Sequence, residues 1–357
     1  MIEPKDTDCL TWIGGEVRTL PTAAVYGLSV VRNEIDRLPY LLDYYRSIGV
    51  EQFLFVSDHS SDGTTEYLLE QSDCAVFLPD TSFKDSRCGV DWQALLLDLY
   101  CCDAWVITFD ADEIFTYPHA ETLNLPGLCR FLDKEGANAV GSFLLDMYSD
   151  GPVRSAIYQA PAPFLSTSPL FDKDYRFLPA AEPKDYVPSG KVIGGPRARL
   201  FYPFQNRYSV FSRAAMYALV NVLQKYGILR EGRVHYVPTL LKAPLVKWIA
   251  GSYRTGNHNI RNGPGVKLSQ ITSAILHFKF FSDFHERALR EISRGQHYNG
   301  AQEYKRYVAF TEANPDFNFS YPGSQRYTGS ADLVRLGLIT SSAALDAFAA
   351  GAVPSPR

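Results

Sequence analysis

The residues best suited to chemistry lie in Val106-Ile107-Thr108-Phe109-Asp110-Ala111-Asp112-Glu113, an apolar run that ends abruptly in acids, with one residue between two aspartates. Hard cations such as Mg²⁺ and Mn²⁺ take oxygen ligands and keep positions open for water or substrate phosphates. Asp110 and Asp112 together with a diphosphate would satisfy one. In other settings the same triplet only caps a turn. Two more polar loops follow apolar runs: Arg32-Asn33-Glu34 after Tyr26 to Val31, and Asp58-His59-Ser60-Ser61-Asp62-Gly63 after Gln52 to Ser57. Carboxylates crowded at one edge repel and raise each other's pKa unless a cation or hydrogen-bond donors stand among them, so these loops imply a partner. Late in the chain, Leu276-His277-Phe278-Lys279-Phe280 reads as a strand. There His277 and Lys279 share one face with Ile275 and Phe281, opposite an apolar face of Leu276, Phe278 and Phe280.

The elements that must carry these loops follow from periodicity. Tyr26 to Val31, Gln52 to Ser57, Cys74 to Leu78 and Ala104 to Phe109 read as buried strands. Between the first two, Leu38, Leu41, Leu42, Tyr45 and Ile48 recur at helical spacing, with Pro39 in the first turn, where a proline is tolerated. Further helices are expected after the Ser60 to Thr64 turn and over about Val90 to Cys101. The resulting β-α-β-α-β-α-β order predicts an α/β layer with a largely parallel sheet, in which ligands bind beyond the carboxyl ends of the strands. A helix around Leu123 to Lys134 and a strand from Ala139 to Met147 continue the pattern. Residues 151–215 are rich in Pro, Gly, Tyr and Phe and read as loops over the scaffold. Strands are expected again at Ala198 to Tyr202 and Ala274 to Phe281, a helical pattern over about Phe284 to Phe310, and a loosely attached tail over the last 25 residues.

Composition narrows the class. The 357 residues are 46% hydrophobic and 21% charged, enough to bury a large core. No apolar stretch reaches the roughly 18 residues that a membrane span needs. The first residues lack the basic start and apolar run of a secretory signal, so a cytoplasmic location is expected. Six cysteines without a Cys-x-x-Cys pair suggest reduced, mostly buried thiols rather than a disulfide frame or a zinc site. The net charge of −4 hides an asymmetry: from Arg197 to Ser282 thirteen Lys or Arg face the single acid Glu231, leaving 22 basic and 38 acidic residues elsewhere. An anionic ligand held between the two regions would account for it, as would a scattered solvated surface. Nucleic acid is not an expected partner, since the protein is net acidic and carries no basic-aromatic motif.

Taken in order, Val31-Arg32-Asn33-Glu34, Ser57 to Thr64 and Phe109 to Glu113 resemble the successive motifs of GT-A glycosyltransferases of the family 2-like group. So do Gly194-Gly195-Pro196-Arg197-Ala198-Arg199-Leu200-Phe201, Lys242-Ala243-Pro244-Leu245-Val246-Lys247-Trp248 and Leu276 to Phe280. The resemblance spans about residues 25–310. It implies a Rossmann-like nucleotide-diphospho-sugar transferase fold with a mixed, mainly parallel central sheet. Residues 1–24 would be an N-terminal extension, 25–150 the nucleotide-sugar-binding half, 151–310 the acceptor-side half of the same domain, and 311–357 a C-terminal extension.

The resemblance also implies roles. Val31, Arg32, Glu34 and Asp58 would hold the nucleoside, with Asp58 near the base. Asp110 would contact ribose or metal, Asp112 would bind Mn²⁺ or Mg²⁺ directly, and His277 would complete the metal site. Lys279 would lie close to the diphosphate. Arg87, Trp92 and Gln93 fall where related enzymes place nucleotide contacts, although Trp92 reads equally as core. The implied reaction is metal-assisted, inverting transfer of a sugar from a nucleotide-sugar, with a UDP-sugar favoured, to a glycan or lipid-linked acceptor. The expected setting is surface polysaccharide or lipopolysaccharide assembly, with at most peripheral contact at the inner membrane face. Inversion needs a carboxylate to take the acceptor hydroxyl's proton; Asp146, Glu182 and Asp185 are the candidates. Two other classes remain: a noncatalytic nucleotide- or glycan-binding module, and a Mg²⁺ phosphohydrolase. The second lacks its usual Asp-x-Asp-x-Thr text, because Ile114 follows Glu113.

Overall fold

The computed structural model describes residues 7–21, 24–180, 184–202, 239–261 and 265–351. The first half alternates strand and helix: β1 (Leu10–Gly14), β2 (Val25–Val31), α1 (Leu38–Ser47), β3 (Val50–Ser57), α2 (Thr64–Leu69), β4 (Cys74–Pro79), α3 (Val90–Tyr100) and β5 (Trp105–Thr108). Then come β6 (Glu113–Thr116), α4 (Leu125–Glu135), β7 (Ala139–Tyr148), α5 (Phe164–Thr167), β8 (Leu170–Asp172), β9 (Tyr175–Leu178), β10 (Tyr186–Val187), β11 (Lys191–Gly194) and α6 (Gly195–Leu200). The remainder holds β12 (Leu241–Lys242), β13 (Leu245–Lys247), β14 (Ile260–Arg261), β15 (Leu268–His277), α7 (Phe284–Arg294), α8 (Gln302–Ala313) and β16 (Ser324–Arg326). Helices Ser330–Arg335 and Ala343–Gly351 close the described chain.

One mixed sheet runs β1-β4-β3-β2-β5-β13-β7-β15-β6. Strands β4, β3, β2 and β5 are parallel, as their helical crossovers require, and β7 pairs parallel with β15. Alternation along β3 sends Phe53 and Phe55 to one face, against Leu41 and Tyr45 of α1 and Leu128 of α4, and Leu54 and Val56 to the other, against Trp92 and Leu96 of α3. Both faces are therefore covered, which is why these strands read as continuous apolar runs. The α/β expectation holds, in a Rossmann-like arrangement.

Several boundaries differ from the sequence reading. Ala198 to Tyr202 is not a strand: α6 begins at Gly195 with Pro196 in its first turn. The late strand starts earlier than expected and stops at His277, so Lys279 lies beyond the sheet rather than on a strand face. Gly295, at φ +63°, ends α7 and divides the helical pattern in two. The C-terminal residues as far as 351 are not loosely attached, because Leu333, Leu338, Ile339 and Leu345 are buried in the main core. Residues 10–14 likewise join the sheet edge, antiparallel to β4. None of the six cysteines forms a disulfide. Among the described residues no helix is long and apolar enough to cross a membrane.

Candidate functional site

The carboxyl ends of β2, β3 and β5 open into a cleft of about 670 Å³. Val31, Arg32, Glu34, Asp58, Asp110 and Asp112 line it from the first half of the chain, and His277 and Lys279 from the second. The loops are knitted to one another. Asn33 adopts a left-handed φ of +53°, its Oδ1 accepts from the Ser61 amide at 2.8 Å, and Thr64 Oγ1 accepts from the Glu34 amide at 2.8 Å.

The acidic segment is a tight turn between β5 and β6. The Glu113 amide donates to the Asp110 carbonyl at 3.0 Å, and Glu113 Oε2 accepts from the Asp110 amide at 3.0 Å. Glu113 therefore faces inward, 2.6 Å from Lys242 Nζ, both side chains being buried. Asp110 points outward with its side chain 55% exposed, 3.6 Å from the same ammonium. Asp112 is 18% exposed, and its Oδ2 lies 3.5 Å from His277 Nε2 and 3.9 Å from Arg37 Nη1. Sheet register explains the first of these contacts: β15 lies between β6 and β7, so His277 is paired with Glu113 on one side and Asp146 on the other. Within the turn, the Phe278 amide donates to the Asp112 carbonyl at 2.7 Å.

Burial pushes the Asp112 carboxyl up, but the charge and hydrogen bond of His277, with Arg37 and Lys279, hold it well below the usual carboxylate range. His277 moves the other way. Burial pushes it down, and Asp112 and Asp146 outweigh that to raise it to about 8. Lys279 is kept charged: burial opposes the ammonium, while Tyr304 and Glu303 overcome that cost. Its Nζ lies 5.0 Å from the Tyr304 ring centroid.

The opposite wall is α7. Arg287 bridges both oxygens of Glu34 with one nitrogen, Nη1, at 2.8 and 2.9 Å while its Nε donates to Asp283, and Arg294 pairs with the buried Asp58. Arg37 lies 3.7, 3.9 and 3.8 Å from Glu34, Asp112 and Asp283, and its buried Nη2 has no hydrogen-bond partner among the described residues. One nitrogen of a buried guanidinium is thus left without a hydrogen bond at the cleft, although three carboxylates surround its charge.

Not every expected residue reaches the cleft. Trp92 is 0% exposed, packed in the core, with its indole N–H donating to Thr81 Oγ1 at 2.9 Å. Its neighbour Gln93 lines the cleft instead. Arg87 turns to Asp91 and to the Tyr253 ring, outside the lining. Asp146 is 0% exposed beneath His277, with one oxygen on His277 Nδ1 and the other on Arg197 Nε, both at 2.7 Å, so it cannot reach a substrate hydroxyl. Arg197 is buried with it. Asp185 is exposed and away from the lining, and Glu182 lies outside the described residues. Sequence reasoning missed Arg37, Arg287 and Arg294. The spacing Arg287-x-x-Arg290-Glu291-x-x-Arg294 on an expected helix was the available signal, since residues three and four apart share a face.

Among the described residues, no group of three or more His, Cys, Asp or Glu side chains could by itself hold a metal ion. Asp112 and His277 supply two adjacent ligand atoms, one oxygen and one nitrogen. Mn²⁺ and Mg²⁺ need no protein cage, because substrate phosphates and water fill the remaining positions. The pair therefore fits such an ion, with Asp110 at the rim. No protein-family model matches the chain, and no curated protein matches it.

Proposed function

We propose that the protein is a glycosyltransferase of the GT-A type, family 2-like, using a nucleotide-diphosphate sugar and a divalent cation. The carrying observation is the meeting of Asp112 and His277 Nε2, 3.5 Å apart, in a cleft at the carboxyl ends of parallel strands. In such sheets that edge is where nucleotides bind. Asp112 and His277 would hold Mn²⁺ or Mg²⁺, with Asp110 available to the ion or to a ribose hydroxyl. Bound there, the ion would supply charge stabilisation for the departing diphosphate.

The chain's own groups divide the rest of the work. Val31, Arg32, Glu34 and Asp58 bound the nucleoside end, and Arg37 and Lys279 place fixed positive charge where a diphosphate would lie. Arg287 holds Glu34 in place across the cleft. The acceptor is a glycan or lipid-linked glycan hydroxyl, and the donor is a UDP-sugar.

Incubating the full chain with UDP-, GDP-, CMP- and TDP-sugars and Mn²⁺ tests the reading. Release of the nucleotide from one donor (the nucleoside diphosphate, or CMP from the CMP-sugar), abolished by chelator, supports transfer. Tight binding of the same donor without turnover, even with glycan acceptors present, makes the protein a nucleotide-binding module instead.

A further inference from the structure

We infer that Asp146 and Arg197 form a buried positioning pair that fixes the His277 ring with Nδ1 protonated and Nε2 turned into the cleft. The inference rests on the reading of His277 as a cation ligand and assigns Asp146 a role other than proton transfer with substrate.

The geometry begins with register. Parallel pairing of β7 with β15 sets Asp146 beside His277, and Asp146 Oδ1 lies 2.7 Å from Nδ1. An ionised carboxylate only accepts hydrogen bonds, so the proton at this contact belongs to Nδ1. The other nitrogen then faces Asp112, and a cation bound there takes the place of the Nε2 proton that Asp112 favours in the metal-free protein. Asp146 cannot rotate away, because Oδ2 accepts from Arg197 Nε at 2.7 Å. Arg197 also keeps Asp146 ionised in a place where a lone carboxylate would be costly. Its own Nη1 lies 3.6 Å from Glu303 of α8, so three separate elements converge behind one imidazole.

Local sequence explains how Arg197 arrives there. The chain turns at Gly194 and Gly195, with φ of +144° and +77°, and a Cβ on Gly195 would lie 2.3 Å from the Tyr175 hydroxyl oxygen. Only glycine allows α6 to start against Tyr175, and that start points Arg197 inward. A buried ion pair serving stability alone has no need of a histidine between itself and the cleft. Outer partners of metal-binding histidines usually fix tautomer and ring orientation, and losing one costs roughly 10–100-fold in metal affinity.

The test titrates Mn²⁺ into the full chain, following free Mn²⁺ by EPR, for wild type, Asp146→Asn and Arg197→Lys, with folding checked by circular dichroism. In Asp146→Asn the amide oxygen stays with Arg197 and the NH₂ faces His277, which forces the proton onto Nε2. Affinity should fall by roughly 10–100-fold with the fold intact. Arg197→Lys leaves Asp146 as the acceptor and should lose less. ¹⁵N spectra of the Mg²⁺-loaded wild type should show a protonated Nδ1, and this readout stands even if a variant does not fold. Unchanged Mn²⁺ affinity in folded Asp146→Asn, or a protonated Nε2 in the Mg²⁺-loaded wild type, overturns the positioning role alone. A wild type that binds no Mn²⁺ overturns the cation site and this inference with it.

Discussion

Lys242 and Glu113 meet at 2.6 Å between Nζ and Oε2, 129 residues apart in sequence and both almost wholly buried. Breaking such a pair leaves a charge in a medium that cannot solvate it, at a cost of about 3–5 kcal/mol. Lys242→Met should lower the unfolding free energy by that order in urea titrations. Adding Glu113→Gln should recover much of the loss, since glutamine still accepts from the Asp110 amide. A double variant no more stable than the single one would show that the pair is not the source of the effect.

Gly195 is fixed by backbone conformation and by space at once. Gly195→Ala forces a Cβ into the left-handed region and against the Tyr175 hydroxyl, and should cost about 2–4 kcal/mol by chemical denaturation. Gly63 also has a positive φ, of +95°, but nothing lies within 4 Å of a Cβ built there. Gly63→Ala should therefore cost clearly less, and equal losses at the two positions would contradict the steric account.

His258 gives a pH dependence of known sign. Burial first, then the charge of Lys242, pushes it down from 6.5 to about 4. A depressed base is neutral in the folded protein while the unfolded chain takes up a proton. Its contribution is thus complete above about pH 6.5 and is lost as pH falls toward 4. The loss amounts to at most about 3 kcal/mol, less because the ring is not fully shielded from solvent. His258→Asn keeps a donor for the Leu241 carbonyl, which the ring now meets at 3.1 Å, and should flatten unfolding free energy against pH over that window. Parallel wild-type and variant profiles would count against the assignment.

Arg287 spans the cleft to Glu34 with both oxygens engaged. Arg287→Met should weaken UDP binding by at least roughly tenfold, about 1.4 kcal/mol, measured by calorimetry. Arg287→Lys keeps the charge but not the planar guanidinium that holds Glu34 and Asp283 together, and should fall between. Unaltered affinity in the methionine variant would remove α7 from the binding wall.

The legible parts of the sequence were those in which a local pattern coincides with a local cause. Apolar runs ending in acids placed β2, β3, β5 and the loops at 31–34, 58–64 and 110–113, because a buried parallel strand and its polar carboxyl-end loop are adjacent in the chain. Helix α6 was misread since Ala198 to Tyr202 alternates like a strand, while the decisive features, two left-handed glycines and Pro196, lie just before it. Trp92 and Gln93 could not be separated by periodicity, because neighbouring residues at the start of α3 point one into the core and one into the cleft. Lys242, Arg197 and Arg287 act through partners 129, 51 and 253 residues away, and no local spacing encodes such pairings. The C-terminal helices were lost for a related reason: Leu333, Leu338, Ile339 and Leu345 are core only because a distant sheet supplies the opposite wall.

The most direct trial of the whole account is the thermal stability of wild type and Asp112→Ala, each with UDP, with and without Mn²⁺. A ligand held at about 100 times its Kd stabilises by about 2.7 kcal/mol, a shift of several degrees in Tm. The wild type should show that shift in full only when Mn²⁺ and UDP are both present, and Asp112→Ala, folded, should show none of the Mn²⁺-dependent part. The same Mn²⁺-dependent rise in both proteins would mean that the carboxylate facing His277 holds no cation.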